Sequence, residues 1–281
     1  MKSYVKITDK IKSYNKTLEI EGDKSLSIRW ALMASQAIGK SKSINILKSE
    51  DVLNTLKCLK NLGVKVKLFK NKCEITSKGL NSFNYKKKIV LNAGNSGTLG
   101  RLILGILIHS RNKIKIKGDK SLSRRDFSRV IAPLKKFGAN FKYRSNHKLP
   151  IEVFGTSNAK PIIYYEKKGS AQCKSAVMLA ALNTKGQTFI KAKKSRDHTE
   201  KLFKFLKIPI KLERKKNFDI IKIEGKKQFS GFNYNIPSDI SSSAFFIVLT
   251  ILSNNSKLII KNVNINPSRV GVITILKKNG S

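Results

Sequence analysis

The chain of 281 residues has a formal net charge of +41, from 58 Lys and Arg against 17 Asp and Glu, and 40% of its residues are hydrophobic. This apolar share suffices for one large or two smaller domains with packed cores. The charge alone does not indicate a nucleic-acid partner, because the Lys residues are spread along the whole chain and no zinc-finger spacing or RNP-like aromatic cluster accompanies them.

The predicted elements form a repeated unit of strand, helix, strand, helix, strand and strand. In the first unit the strands are predicted at TLEIEGD (17–23) and SINIL (43–47), the helices at LSIRWALMASQAI (26–38) and DVLNTLKCLKNL (51–62), and a hairpin follows at KVKLF and KCEIT. Gly63 ends the second helix. Gly138, Lys207 and Gly280 hold equivalent positions at intervals of about seventy residues.

Three further units follow the first. The second runs through KKIVLNAG, GTLGRLILGILIHS, KIKIKG and RDFSRVIAPLKKFG, and the third through PIIYYEKK, SAQCKSAVMLAAL, QTFIKAKK and HTEKLFKFL, each with its hairpin. The fourth opens with FNYNIPSD (232–239) and stops at its second helix, ITILKKNG. Because the two hairpin strands of this last unit are missing, we expect the chain to be part of a longer protein.

The hexamer GDKSLS occurs twice, at 22–27 and 118–123, each time where a helix is predicted to begin. Glycine permits a tight turn there, and the polar residues can cap the helix. Three other segments present small and hydroxyl-bearing residues at predicted helix starts: GNSGT (94–98), GSAQCKS (169–175) and PSDISSS (237–243). Helix N-termini attract phosphates and carboxylates, so several of them on one face predict a site for an anionic substrate.

Six motifs, in order, resemble the EPSP synthase (3-phosphoshikimate 1-carboxyvinyltransferase) family across essentially the whole chain. They are GDKSLSIRWALMASQA, GNSGTLGR, GDKSLSRRDFSRV, SAQCKSAVMLAAL, SRDHTEKL and PSDISSSAFF. The related UDP-N-acetylglucosamine carboxyvinyltransferases, which are the alternative family, usually carry Asn where Ser25 stands and lack a block like SRDHTE. Asp126 departs from the Pro that is common in the EPSP synthases.

The resemblance implies an α/β fold of repeated βαβαββ units in two globules, with the site in the cleft between them. Residues 20–233 are then one complete globule of three units. Residues 1–19 supply the opening strand of the other, C-terminal globule, and 234–281 a partial unit of it, so that this second globule is truncated.

The resemblance also implies substrate contacts, residue by residue. The shikimate 3-phosphate contacts are Lys24, Ser25, Arg29, Ser170, Ala171, Gln172, Ser195 and Arg196. The phosphoenolpyruvate contacts are Lys24, Gly97, Arg125 and Gln172. Lys24 is the candidate for proton transfer, and the family's acidic catalytic residues lie beyond this chain. DHTE (197–200) also matches a capping box, and we expect His198 to be structural.

The implied reaction transfers the enolpyruvyl group of phosphoenolpyruvate to the 5-hydroxyl of shikimate 3-phosphate and releases phosphate. A second hypothesis is a chain that binds these substrates without turnover, and a third is a basic nucleic-acid binder. We expect that the reaction needs no cofactor and that the full-length protein is a monomer.

Other sequence features argue against several classes of protein. The cysteines are odd in number and lack CxxC spacing, which predicts reduced thiols: Cys58, Cys73 and Cys173. The three histidines, His109, His147 and His198, lie far apart in the sequence, which argues against a metal site. The apolar runs are shorter than the roughly 20 residues that span a bilayer, and no secretory signal is visible. We therefore expect a cytoplasmic protein.

Overall fold

The computed structural model describes residues 12–278. By its contacts the chain divides into two compact units, a larger one of residues 24–236 and a smaller one from the residues on either side of it. Within the described residues, no helix is both long enough and apolar enough to cross a membrane.

The helices and strands follow the order that the repeat predicts, with one addition, a four-residue helix at Lys120–Ser123. The elements are β1 (Asn15–Glu19), α1 (Lys24–Ala34), β2 (Ile38–Ile44), α2 (Glu50–Asn61), β3 (Lys65–Leu68), β4 (Lys72–Lys78), β5 (Ile89–Asn92), α3 (Gly97–Leu107), β6 (Ile114–Lys117), α4 (Lys120–Ser123), α5 (Ser128–Lys136), β7 (Asn140–Tyr143), β8 (Ile151–Phe154), β9 (Ile163–Glu166), α6 (Ala171–Leu182), β10 (Gly186–Lys193), α7 (His198–Phe205), β11 (Ile210–Arg214), β12 (Phe218–Gly225), β13 (Asn233–Asn235), α8 (Ile240–Ile251), β14 (Lys257–Lys261) and α9 (Gly271–Lys278).

The larger unit contains three four-stranded sheets of the same topology. Their strand orders are β13-β2-β4-β3, β5-β6-β8-β7 and β9-β10-β12-β11. In each sheet the first two strands are parallel, and the remaining neighbours are antiparallel. A parallel pair needs a crossover connection, and in the second and third sheets α3 and α6 provide it. The mixed α/β class and the βαβαββ repeat are therefore confirmed.

Two strands of the predicted repeat exchange places. TLEIEGD was predicted to open the first unit, but β1 pairs in parallel with β14 in the smaller unit, with Thr17 opposite Ile259. The place beside β2 is taken by β13, which was predicted to open the fourth unit, and Tyr234 lies opposite Ser43. The repeat-based assignment of these two strands was wrong, because the pattern shows that a strand exists without showing its partner.

The ends of three helices confirm the register of the repeat. Gly63, Gly138 and Lys207 each follow the C-cap of their helix, and their φ angles are +84°, +107° and +54°. At Gly63 the turn is a Schellman motif, since Gly63 N–H donates to Lys60 O and Val64 N–H donates to Leu59 O. Lys207 and Ile208 make the equivalent pair of bonds. Gly280, the fourth predicted member, lies outside the described residues.

The core of the larger unit is built around α1, α3 and α6. Nearly every residue of these helices is buried, including the charged side chains of Arg29 and Lys174. α3 packs directly against α6, and a Cβ atom added to Gly105 would overlap the carbonyl oxygen of Ala176. The absence of a side chain at Gly105 thus allows two helix backbones to approach closely.

In the smaller unit, α8 packs on β14. The Asp239 carboxylate caps α8 by accepting from Ser241 N–H at 2.8 Å and also accepts from Arg269 Nη2 at 3.2 Å. The side chains of Phe245 and Leu252 on α8 are largely exposed.

Candidate anion-binding site

Three predicted helix starts are confirmed, and each has a polar cap. The Ser96 hydroxyl accepts from Leu99 N–H at the start of α3, and the Ser170 hydroxyl accepts from Cys173 N–H at the start of α6. Asp239 does the same for α8 in the smaller unit. The capping side chain satisfies one of the unpaired N–H groups, and the positive end of each helix dipole remains available to an anion.

The second GDKSLS hexamer also begins a helix, but a short one. Asp119 caps α4 by accepting from Leu122 N–H at 2.7 Å, and Asp119 N–H donates to the carbonyl oxygen of Gly94. The hexamer therefore lies against the GNSGT segment, and the single turn of α4 leads directly to Arg125. In the first hexamer, the helix begins at Lys24, whose Nζ lies 3.0 Å from a carboxylate oxygen of Asp51.

Gln172 joins the first turns of α3 and α6. Its side-chain oxygen accepts from Arg101 Nη1 at 3.0 Å, and its side-chain nitrogen donates to the Thr98 hydroxyl at 3.1 Å. Both ends of this amide are thus fixed by residues of α3, so the N-termini of the two helices are held side by side.

Gly97 sits beneath two guanidinium groups. A Cβ atom at this position would lie 2.9 Å from Nη1 of both Arg101 and Arg125. Burial lowers the pKa of Arg101, and the positive charges of Arg125 and Arg129 lower it further. We call Gly97, Arg101 and Arg125 the Gly97 cluster. It combines a helix N-terminus with closely spaced cations, which favours a bound anion.

Arg29 ties three helices together. Its guanidinium donates to the Thr199 hydroxyl of α7 at 2.9 Å, to the Ser175 hydroxyl of α6 at 3.2 Å and to the Ser25 carbonyl of its own helix at 3.1 Å. The side chain is buried, and the Ser175 and Thr199 hydroxyls are 2.7 Å apart. Because Ser175 follows Gln172 by less than one turn of α6, this group lies next to the Gly97 cluster.

Ser195 and Arg196 precede α7. The Ser195 hydroxyl oxygen is buried and has no hydrogen-bond partner among the described residues, whereas the Arg196 side chain is exposed. Asp197 is the N-cap, but its carboxylate makes no capping bond and pairs with Arg214 Nη2 at 2.6 Å. The capping-box interpretation of DHTE was therefore wrong. His198 is buried within the unit.

The structure adds residues that sequence reasoning did not single out. Around Gln172 and Arg29 these are Thr98, Arg101, Ser175 and Thr199, and beside them lies a buried ion pair, Lys174 and Glu200. Arg101 could have been found, because it follows Gly97 by four residues and so lies on the same helix face. Glu200 was predicted as a capping residue instead.

Chemically, the described site offers guanidinium, hydroxyl, amide and backbone N–H donors. No group of three or more His, Cys, Asp or Glu side chains suited to a metal occurs in residues 12–278. Such a donor set binds phosphate or carboxylate groups, and it holds them in a fixed orientation because the donors are braced by one another.

Comparisons with known proteins identify one family. Residues 8–281 match the family model of EPSP synthase (3-phosphoshikimate 1-carboxyvinyltransferase). A 3-phosphoshikimate 1-carboxyvinyltransferase of Petrotoga mobilis is 40% identical over 270 residues, which is 95% of this chain and 62% of that protein. One of Ruthia magnifica is 41% identical over 265 residues, 94% of this chain and 60% of that protein.

The structural comparison gives the same relationship. An EPSP synthase structure from Acinetobacter baumannii matches with a TM-score of 0.88 and 33% identity, covering 96% of this chain and 60% of that one. The chain thus spans about three fifths of the length of the relatives that it matches.

Proposed function

The chain belongs to the EPSP synthase (3-phosphoshikimate 1-carboxyvinyltransferase) family, and on that premise we propose that it binds shikimate 3-phosphate and phosphoenolpyruvate for enolpyruvyl transfer. The observation that carries the proposal is the junction of α3 and α6 at Gln172, beside the Gly97 cluster. Each substrate carries a phosphate and a carboxylate, and the donors of this junction suit both groups.

The substrate contacts are proposed for the residues that the family motifs assign. Those for shikimate 3-phosphate are Lys24, Ser25, Arg29, Ser170, Ala171, Gln172, Ser195 and Arg196. Those for phosphoenolpyruvate are Lys24, Gly97, Arg125 and Gln172. The bracing of Arg29 by Thr199 and Ser175, and of Gln172 by Arg101, supports these roles because a fixed donor loses little entropy on binding.

In the proposed reaction, the 5-hydroxyl oxygen forms a bond to C2 of phosphoenolpyruvate. The hydroxyl proton leaves, and the methylene carbon gains a proton. The resulting tetrahedral intermediate then loses a proton from that carbon and breaks its bond to phosphate, giving the enolpyruvyl ether. Lys24 is the proposed proton-transfer group of this chain, since a lysine can serve as general acid or base when it touches both ligands.

The test is a calorimetric titration of the chain with shikimate 3-phosphate. We expect saturable binding that weakens by at least about tenfold in Arg29→Lys, because a lysine cannot reproduce the fork of donors that Arg29 directs to three acceptors. Arg111→Lys is the control. Arg111 is not among the proposed contacts, so this substitution should leave the affinity for shikimate 3-phosphate unchanged. Absence of binding by the unaltered chain would refute the proposal.

A phosphate-release assay with both substrates separates turnover from binding alone. Turnover by the chain would eliminate the binding-only hypothesis, whereas binding without phosphate release would favour it. A salt titration with single-stranded DNA addresses the third hypothesis, which predicts an affinity that falls steeply with salt. A cytoplasmic location and a monomeric state at full length stay predictions.

A further inference from the structure

Lys174 and Glu200 form an ion pair in the interior of the larger unit. Lys174 Nζ lies 2.6 Å from a carboxylate oxygen of Glu200, and the two side chains are 0% and 1% exposed. Lys174 belongs to the first turn of α6, and Glu200 belongs to the first turn of α7. The pair therefore joins the starts of two helices: α6 carries the proposed contacts Ala171 and Gln172, and the proposed contacts Ser195 and Arg196 lie just before α7.

The pair is expected to add little net stability. Neither Nζ of Lys174 nor either Glu200 oxygen has a well-aligned hydrogen bond within the described residues, so each charge is compensated mainly by the other. Burial raises the pKa of Glu200, and the neighbouring Lys174 charge lowers it only in part. Buried pairs of this kind are often no more stabilising than apolar side chains of similar volume, because desolvation of the charges offsets their attraction.

The pair lies beside a second link between the same two helices. Ser175 and Thr199, each adjacent in sequence to one partner, are hydrogen-bonded at 2.7 Å and both are contacted by Arg29. Two adjacent links resist both sliding and rotation of α7 against α6, whereas a single hydrogen bond allows rotation about itself. An apolar pair in place of the charges would fill the same space without fixing a direction, since hydrophobic contact is non-directional.

We propose that Lys174 and Glu200 are positioning residues that hold the Ser195–Arg196 segment in register with Ser170 and Gln172 for shikimate 3-phosphate. This inference rests on the proposed function. Ser195 and Arg196 are five and four residues from Glu200 along the chain, so a shift of the first turn of α7 moves them directly. A misplacement of about 1 Å at a binding site can cost up to about a hundredfold in function.

The test uses the whole chain and a double variant, Lys174→Met with Glu200→Leu, which removes both charges and keeps the volume. Glu200→Gln alone would leave the Lys174 charge buried without its counter-charge, and that variant is expected to unfold at lower temperature. The matched control is Lys113→Met with Glu152→Leu, which removes an exposed pair whose atoms are 3.4 Å apart.

Three readouts decide the outcome: the thermal midpoint, the dissociation constant for shikimate 3-phosphate, and amide hydrogen exchange in residues 194–200. We expect the double variant to keep its midpoint within a few degrees, to bind at least about tenfold more weakly and to exchange faster in that segment. The control double variant should match the unaltered chain in affinity and in exchange.

A stable double variant that binds as tightly as the unaltered chain overturns this inference and leaves the proposed function intact. An unaltered chain that does not bind shikimate 3-phosphate overturns both. A double variant that loses its thermal transition overturns the inference as well, because the pair would then be needed for folding itself.

Discussion

Gly97→Ala should weaken phosphoenolpyruvate binding without harming the fold. The added Cβ would lie 2.9 Å from Nη1 of Arg101 and of Arg125, where ordinary contact begins at 3.4 Å. Each guanidinium must therefore retreat by about 0.5 Å. Both contacted atoms are the ends of flexible side chains, so the backbone can stay in place. Gly97 is also the first residue of α3, where alanine introduces no unfavourable φ.

The size of the effect follows from the required displacement. If a misplacement of about 1 Å costs about a hundredfold, a shift of half that size costs about tenfold, or about 1.4 kcal/mol. The affinity for shikimate 3-phosphate should change by less than about threefold, because the atoms nearest the added Cβ belong to Arg101, Arg125 and Leu122. Of the proposed shikimate 3-phosphate contacts, Gln172 is affected only indirectly, through its bond to Arg101.

The assay is calorimetric titration with phosphoenolpyruvate at saturating shikimate 3-phosphate, alongside a urea unfolding curve. Gly100→Ala in the same helix is the matched control, because its Cβ would meet the Phe127 ring at an ordinary 3.5 Å. That variant should gain up to about 1 kcal/mol in stability from helix propensity and keep its affinity. A folded Gly97→Ala variant with unchanged phosphoenolpyruvate affinity would refute the assignment of the Gly97 cluster.

Three further predictions concern the fold. Gly105→Ala should destabilise the chain by about 2–3 kcal/mol in urea unfolding, because its Cβ would overlap the backbone oxygen of Ala176; an unchanged midpoint would show that α3 and α6 are not this close. Lys207→Gly should raise the free energy of unfolding by about 1 kcal/mol, because glycine removes the left-handed strain at φ +54°, whereas Lys204→Gly within α7 should lower it by a similar amount. Burial, aided by the charge of Lys226, lowers the pKa of His109 to about 4 from an ordinary 6.5. The unfolded chain therefore takes up more protons than the folded chain as the pH falls from 6.5 towards 4, and stability is lost over that window. Urea unfolding at pH 7 and at pH 4 gives the loss of unfolding free energy on acidification. For His109→Gln this loss should be about 2 kcal/mol smaller than for the unaltered chain, after allowance for the partial exposure of the ring. Equal losses would contradict the low pKa.

Local signals in the sequence were sufficient for the helix starts and helix ends. Ser96, Ser170 and Asp239 cap helices whose starts the sequence predicted, because a cap depends on residues within about four positions. The equivalence of Gly63, Gly138 and Lys207 was also visible from spacing alone, and the structure shows all three in the left-handed conformation that such helix ends require.

The sequence by itself thus determined the βαβαββ repeat, the helix starts and the family, since each depends on periodicity and on short motifs. Only the tertiary structure decided which strand completes the first sheet, because TLEIEGD and FNYNIPSD both read as strands, and pairing is chosen by distant partners. The same holds for Asp197 and Glu200. A local pattern assigned both to a helix cap. In the fold, however, the Asp197 carboxylate pairs with Arg214 and the Glu200 carboxylate pairs with Lys174.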